Sequence, residues 1–282
     1  MSGSILVTGS GGFIGKHLVR MLESLGYSVQ RHALAAGDLA QCALGYSGIS
    51  HVFHLAGKTF VPDSWADPLS FYSANVLTTA NVLEFCRRCG ASLTFVSSYV
   101  YGRPQVIPIT EDHPVQAFNP YSHSKILAEE ICRFYASHHQ TRVAIVRPFN
   151  VYGPGQDPRF LIPTLIRQAL AADSEIIEVA DDRPRRDFIY VSDLIDLLIA
   201  TLTRGGTGAY NAGSGLSTSI PEIVASLNSF LPNKKRLISR GESRPQEVLD
   251  VVADIRKAES ELDWKPRIDL ESGLHLIVEK GL

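Results

Sequence analysis

An α/β fold, built as a doubly wound parallel sheet with a smaller interwoven C-terminal substrate domain, is predicted by three observations. Ile5-Leu6-Val7 reads as a short buried strand that runs through a glycine turn straight into a helical pattern at Phe13, Ile14, Leu18, Val19, Leu22 and Leu25. Further apolar strands follow, ending in small-residue turns and alternating with helical stretches. The 282 residues, 45% of them hydrophobic, hold enough apolar material for one large unit or two closely joined ones.

The composition excludes several classes. Net charge is −2 and the basic residues are scattered, which argues against nucleic acid or a membrane surface as partner. Asp193 and Asp196 interrupt the best apolar run, and no signal peptide precedes the first strand, so a soluble cytoplasmic protein is expected. Four cysteines in a chain this long suggest no disulfide framework, and Cys86-Arg87-Arg88-Cys89 lacks a second pair and reads as a helix terminus. The nine histidines show no paired-ligand spacing, so no metal is expected.

The first element already implies a ligand. In Gly9-x-x-Gly12-x-x-Gly15 the turn leaves backbone N–H groups and the positive end of a helix dipole facing one point, which suits a diphosphate. Gly26 to Arg31 reads as the second strand. An acid near its end would bond an adenosine ribose and repel a 2′-phosphate, and a base would do the reverse. Arg31-His32-Ala33-Leu34 holds no acid, which favours NADP, with NAD the alternative. The chain reaches Gly37-Asp38-Leu39 within a few residues, too few for a full helix and third strand.

His51 to Gly57 is the next strand and turn. Ligands of open parallel sheets lie beyond the carboxyl ends of strands, so Ala56 and Gly57 would let backbone approach a cofactor. Lys58 to Asp67 reads as a loop, and Leu69 to Arg88 as a helix. Asn75, a mediocre helix former inside it, is counted with the cofactor-binding residues, although an exposed face is the ordinary expectation. Leu93 to Val96 is a strand ending at Ser97-Ser98-Tyr99.

Asn119-Pro120-Tyr121 opens a helix running to about His138, with Tyr121 and Lys125 one turn apart on one face. An ammonium beside a phenol would lower the tyrosine pKa and let it exchange a proton with a substrate oxygen, held by a serine hydroxyl from the neighbouring strand. Arg142 to Pro148 is a further strand leading to Phe149-Asn150. Thereafter the alternation becomes irregular. Helices are expected at Phe160–Ala172, Ser192–Thr203, Ile220–Phe230 and Ile255–Leu262, and strands at Glu175–Val179, Ala209–Gly213 and just after Arg244-Pro245-Gln246-Glu247-Val248. The expected division is residues 1–148 for the dinucleotide and 149–282 for the substrate, with a segment near 187–203 packing back on the first unit.

Taken together these residues resemble the extended short-chain dehydrogenases/reductases, the Rossmann-type epimerases and dehydratases of nucleotide sugars, along essentially the whole chain. The resemblance implies that Gly9, Gly12, Phe13, Ile14 and Gly15 form the glycine motif, Asp38 and Leu39 the adenine contact, and Leu55, Ala56 and Gly57 the second cofactor turn. Ser97, four before Tyr101, falls at the catalytic Ser/Thr, with Ser98 the neighbouring candidate. Tyr121 and Lys125 match the catalytic pair, and Pro148 and Asn150 lie on the strand that contacts nicotinamide and sugar. Arg186 and Arg244 sit where the family clamps the substrate diphosphate, a role suited to guanidinium forks. Lys58 joins them as a substrate contact.

The branches of that family differ in readable ways. Sugar 4,6-dehydratases place acids just after the catalytic Ser/Thr, where this chain has Ser98 and Tyr99, so dehydration is disfavoured. The short Arg31 to Asp38 connection and the Arg244-to-Val248 and Trp264-Lys265-Pro266 runs are similar to 4-keto-6-deoxy-sugar reductases that use NADPH, including GDP-linked ones. The expectation is a reductase of an NDP-4-keto-6-deoxyhexose. A 4-epimerase holding NAD, and a non-catalytic dinucleotide-binding sensor or scaffold, are the alternatives. The loops around Lys58–Trp65 and Phe160–Pro163 would choose the sugar. A homodimer through the two long helices is expected by the same resemblance.

Overall fold

The structure is a computed structural model that describes residues 3–41, 44–243 and 247–281. Six strands form one parallel sheet: β1 (Ser4–Thr8), β2 (Val29–His32), β3 (Ile49–His54), β4 (Ser92–Val96), β5 (Val143–Pro148) and the late arrival β10 (Gly208–Ala212). Their order is β10-β5-β4-β3-β1-β2. β2 forms one edge, because a single short turn at Leu34–Ala36 stands where a helix and a further strand would fit. From that edge the chain crosses to the other side of β1. This reversal opens a crevice beyond the carboxyl ends of β1 and β3, the place where such sheets take ligands.

The pleat sorts the core into two layers. Ile5 and Val7 of β1, Val96 of β4, and Ala144 and Val146 of β5 face helices α1 (Phe13–Ser24) and α7 (Val191–Thr203). Leu6, Leu93, Phe95, Val143 and Ile145 face the other way, against α4 (Thr78–Cys89) and α5 (Pro120–His138). Each fully buried Leu, Val or Phe contributes roughly 1.5–3 kcal/mol, so the two layers rather than helix propensity hold the sheet in register. Although distant in sequence, α7 lies along α1 and β10 pairs with β5, so two segments beyond residue 149 return to the sheet.

Two readings of the middle of the chain need correction. The segment expected as a loop after Lys58 contains α2 (Val61–Ala66), with Pro62 in its first turn where a missing N–H costs nothing. The expected helix from Leu69 to Arg88 is three pieces: α3 (Pro68–Tyr72), a π-helical turn at Ser73–Leu77, and α4. Asp67 caps α3, its side chain accepting from Ser70 N, and Gly90 ends α4 in a left-handed conformation at φ +72°.

Beyond β5 lie short paired strands and helices. β6 (Asn150–Tyr152) pairs with β9 (Phe188–Tyr190), β7 (Ile176–Val179) with β12 (Arg236–Ser239), and β8 (Arg185–Arg186) with β11 (Thr218–Ser219). Helices α6 (Leu161–Leu170), α8 (Ile220–Phe230), α9 (Arg256–Leu262) and α10 (Leu270–Lys280) complete the chain. The strand expected after Val248 is reduced to isolated bridges, Asp250 to Arg185 and Ala253 to Ile109. Arg244 lies outside the described residues.

Candidate active site and its cofactor cradle

The glycine turn is shaped by close approach. Gly9 has φ +70°, and a Cβ there would lie 2.7 Å from Ala56 N; a Cβ on Gly15 would lie 2.2 Å from Gly9 O. The turn thus lets α1 pack on its own loop and lets the turn after β3 touch it, with Leu55 N donating to Thr8 O at 3.2 Å. Gly12, at the N-cap of α1, makes no side-chain cap bond, and the first turn holds no acid. The helix therefore presents N–H groups and dipole to an anion without internal competition, and this fits a dinucleotide. Phe13 and Ile14, in the first turn, are partly buried against the core.

At the ribose end, Arg31 does not stand as a free cation. Its side chain, 57% exposed, pairs with Glu23 of α1. His32 is buried, its ring bonded to Tyr46 Oη at 2.9 Å and Gly37 O at 3.0 Å. Leu39 points its side chain into the core, while Asp38 Oδ1 accepts from Ala40 N at 2.9 Å. No acid stands at the end of β2.

Asn75 differs from expectation. It is buried in the π-helical turn, Oδ1 accepting from Lys58 N at 2.9 Å, Nδ2 donating to Lys58 O at 3.2 Å and to Ser124 Oγ at 2.8 Å. Both amide hydrogens are committed to protein, so Asn75 ties the Gly57-Lys58 turn to α5. Asn75→Ala strips three partners of buried or half-buried groups. The expected loss is about 1–3 kcal/mol of stability, read as a drop of several degrees in Tm by calorimetry; an unchanged Tm would show the turn holds itself.

Asn119 places the catalytic candidates. Its Oδ1 accepts from Ser122 N at 2.7 Å, Pro120 occupies the first turn, and the helix starts where Tyr121 can face the carboxyl end of β4. Lys125, one turn on, is buried; Nζ donates to Val96 O at 2.9 Å and sits 4.8 Å from the centre of the Phe95 ring. Burial pushes the Lys125 amine down to about 8, opposed by Glu129. Burial raises the Tyr121 phenol, and the Ser98 hydroxyl opposes it, so the expected lowering by Lys125 is not what this geometry delivers. Ser97 Oγ and Ser98 Oγ are both buried without a full hydrogen bond. The Ser98 hydroxyl and the protonated phenol lie together, Ser97 Oγ at the end of the same strand has no bond of its own, and an incoming carbonyl oxygen would be a partner for these donors.

On the substrate side, Asn150 donates Nδ2 to Asp187 O at 2.9 Å, and its own N–H goes to the same carbonyl at 3.0 Å. Arg186 donates Nη1 to Val248 O at 2.7 Å and forms an ion pair with Glu247, so its guanidinium is already held in place by an acid. Lys58 Nζ donates to Ser70 Oγ at 2.7 Å. Pro148 closes β5, between Arg147 and the strand carrying Asn150. A cleft of about 420 Å³, lined among others by Gly57, Lys58, Phe60, Phe71 and Arg159, takes in Lys58 but not Asn150, Arg186 or Pro148. Phe71 edges onto Tyr121 with ring centres 6.2 Å apart, and Phe60 edges onto Phe160 at 5.6 Å. The loops before α2 and α6 therefore meet across the cleft.

Asp187 and Glu129 have no role among the sequence expectations, and Arg147 enters them only as the start of the strand that leads to Pro148 and Asn150. Asp187 is fully buried and accepts from Ser214 N, Ser214 Oγ, Gly215 N and Ala253 N, locking the backbone beneath Arg186 and Asn150. The available signal was a charge inside an apolar run: Asp before Phe188-Ile189-Tyr190, and Arg after Val143-Ala144-Ile145-Val146. The thiol of Cys86 is pushed up by burial, and Cys86, Cys89 and Cys132 are all free. Among the described residues no cluster of His, Cys, Asp or Glu could hold a metal ion, and no helix is long and apolar enough to cross a membrane.

Comparison with known proteins bears on the family and the fold. The sequence profile of the NAD dependent epimerase/dehydratase family matches residues 5–213. GDP-6-deoxy-D-mannose reductase of Pseudomonas aeruginosa is 31% identical, over 99% of this chain and 97% of its own. UDP-glucose 4-epimerase 2 of Arabidopsis thaliana is 31% identical, over 96% and 93%. The solved structure of RMD from Pseudomonas aeruginosa complexed with NADPH superposes with a TM-score of 0.90, at 29% identity, over 99% of this chain and 98% of that one. With its doubly wound sheet and its Ser97, Tyr121 and Lys125, the chain belongs to the NAD dependent epimerase/dehydratase family and is an NAD(P)-dependent enzyme.

Proposed function

We propose that the chain reduces the C4 ketone of an NDP-4-keto-6-deoxyhexose, with NADP(H) preferred, and that the acid-free end of β2 is the observation that carries this reading. A carboxylate there would repel a 2′-phosphate; Arg31 would have to leave Glu23 to meet one, and an exposed ion pair is worth only about 0–1 kcal/mol. The reductase relative supports the same direction, while several 4-epimerases of similar identity keep the epimerase reading in play.

The reaction needs two groups delivered to one carbonyl. Residues of the turns at Gly9–Gly15 and Ala56-Gly57 would hold a bound NAD(P)H, which would supply the hydride for C4. Tyr121, kept protonated by burial, donates its O–H proton to the carbonyl oxygen, and the C=O bond becomes C–H plus O–H. The phenolate left behind lies one helix turn from the Lys125 ammonium and regains a proton from solvent. Ser97 and Ser98 hold the oxygen during transfer. In this reading residues 149–282 carry the nucleotide sugar, Asn150 accepts from a sugar hydroxyl through Oδ1, and Arg186 trades Glu247 for the diphosphate. Ser98-Tyr99 hold no acid where sugar 4,6-dehydratases carry theirs, which disfavours dehydration. We also propose a homodimer through α4 and α5.

The deciding experiment mixes the purified protein with NADPH and a panel of nucleotide sugars, following nicotinamide absorbance. A reductase consumes NADPH one for one with a 4-keto-6-deoxy sugar. Protein that arrives with bound NAD and interconverts C4 epimers without net consumption would be a 4-epimerase instead.

A further inference from the structure

Lys125 is an ammonium in an unusual place. Its Nζ has one carbonyl, Val96 O, and one ring face, Phe95, but no carboxylate in direct contact among the described residues. A buried cation with so little compensation needs a counter-charge near by. Glu129 stands four residues on, on the same buried face of α5, with no exposed surface. It does not pair with Lys125. Arg147 takes it as a two-pronged fork, Nε to Oε1 at 2.9 Å and Nη2 to Oε2 at 2.7 Å, and Arg133 reaches the same carboxylate from the surface. The remaining arm of Arg147 donates to Tyr101 Oη at 2.9 Å and Glu111 O at 3.0 Å, and Tyr101 donates to Asn211 Oδ1.

We propose that Glu129 is a positioning residue whose carboxylate, shared with Arg147, keeps Lys125 charged and links it to the strand ends that carry the serines and Asn150. The inference rests on the role given above to Tyr121 and Lys125. Every group facing Lys125 bears on it. On α5 these are Glu129 and Cys132, with Tyr121 one turn before; from β3 comes His54, held neutral by burial between Thr8 Oγ1 and Thr79 Oγ1; from β5, Arg147 behind Glu129. Of these only Glu129 favours the ammonium as a stable anion, since burial pushes the Cys132 thiol up and keeps it protonated. Arg147 has a second effect: by holding Glu129 it stops the carboxylate from capturing Lys125 and drawing it off Val96 O.

The test titrates Lys125 directly, by NMR of protein carrying ¹³C-labelled lysine side chains, with the signal assigned by its loss in Lys125→Met. Glu129→Gln is expected to lower the Lys125 midpoint by about one to two pH units, the size expected for one charge a helix turn away in a protein interior. Arg147→Gln, which removes the buried cation from the carboxylate and leaves it only the surface Arg133, is expected to raise it. In Glu129→Gln/Arg147→Gln both charges go, and the midpoint should fall between wild type and Glu129→Gln. The double variant removes the Glu129–Arg147 pair together and so strands neither partner, and it decides the matter if a single variant does not fold. A midpoint at or above wild type in the double variant overturns the proposal, as do unmoved midpoints in the singles. A structural role alone would lower Tm without moving the titration. Turnover against pH then separates the two readings. If the alkaline limb follows the NMR midpoint, both stand; if the midpoint moves and the limb does not, Glu129 still sets the charge and the acid-base role of Lys125 fails.

Discussion

Tyr121→Phe is expected to lower turnover by about 10²–10⁴-fold while leaving Tm and the affinity for nicotinamide dinucleotide close to wild type. The substitution removes one oxygen and keeps the ring, which packs edge-on against Phe71 at 6.2 Å, so little packing is lost. What goes is the proton donor. Burial holds the phenol protonated, as a donor to a carbonyl must be, and no other hydroxyl at the site has comparable acidity, since serines ionise far less readily. The pH profile adds a second check. Lys125 is charged below about 8 and neutral above it, so reduction should decline as pH rises through that value. Stability moves the other way. Between about 8 and the ordinary lysine value of 10.5 the unfolded chain binds the proton that the folded chain has lost, and folding gains as pH rises through that window. Opposite trends in rate and stability would be hard to obtain from a general alkaline loss of structure. Near-wild-type turnover in Tyr121→Phe would remove the mechanism altogether.

How much of this was legible beforehand follows from the range of the forces involved. The glycine turn, the capped start of α5 and the Tyr121–Lys125 pairing are set by neighbours within a few residues, and spacing alone placed them. The π-helical turn was not legible. It comes from Asn75 being pulled onto Lys58 and Ser124, 17 and 49 residues away. Arg31 reads from sequence as a cation at a strand end, but which side it faces depends on Glu23 in the helix before it. The return of β10 to the sheet depends on contacts such as Tyr101 Oη to Asn211 Oδ1, 110 residues apart, and no local pattern in Gly208–Ala212 announces them. The same holds for the pKa of Tyr121. A helical spacing shows that an ammonium stands near a phenol, but the sign of the net shift depends on how deeply the rest of the chain buries both.

Gly15→Ala is expected to weaken dinucleotide binding by at least about 100-fold and to destabilise the fold by roughly 1–3 kcal/mol, the usual range for forcing an atom into a packed core. The reason is backbone meeting backbone. The new Cβ would lie 2.2 Å from Gly9 O and 2.9 Å from Ser10 Cα, and neither atom can rotate away as a side chain could. The turn must open, and Gly9 cannot follow freely because it is held against Ala56 N and Leu55 C. Whichever side yields, the N–H groups of the first turn of α1 lose their common aim at a diphosphate. Gly11→Ala is the control, because a Cβ there meets only Ala33 Cβ at 3.5 Å, an ordinary contact. Binding measured by tryptophan or nicotinamide fluorescence should therefore fall sharply for Gly15→Ala and much less for Gly11→Ala. Equal losses in the two would mean that the turn serves the ligand through bulk at its surface. The close packing of α1 on its own loop would then not be what shapes the cradle.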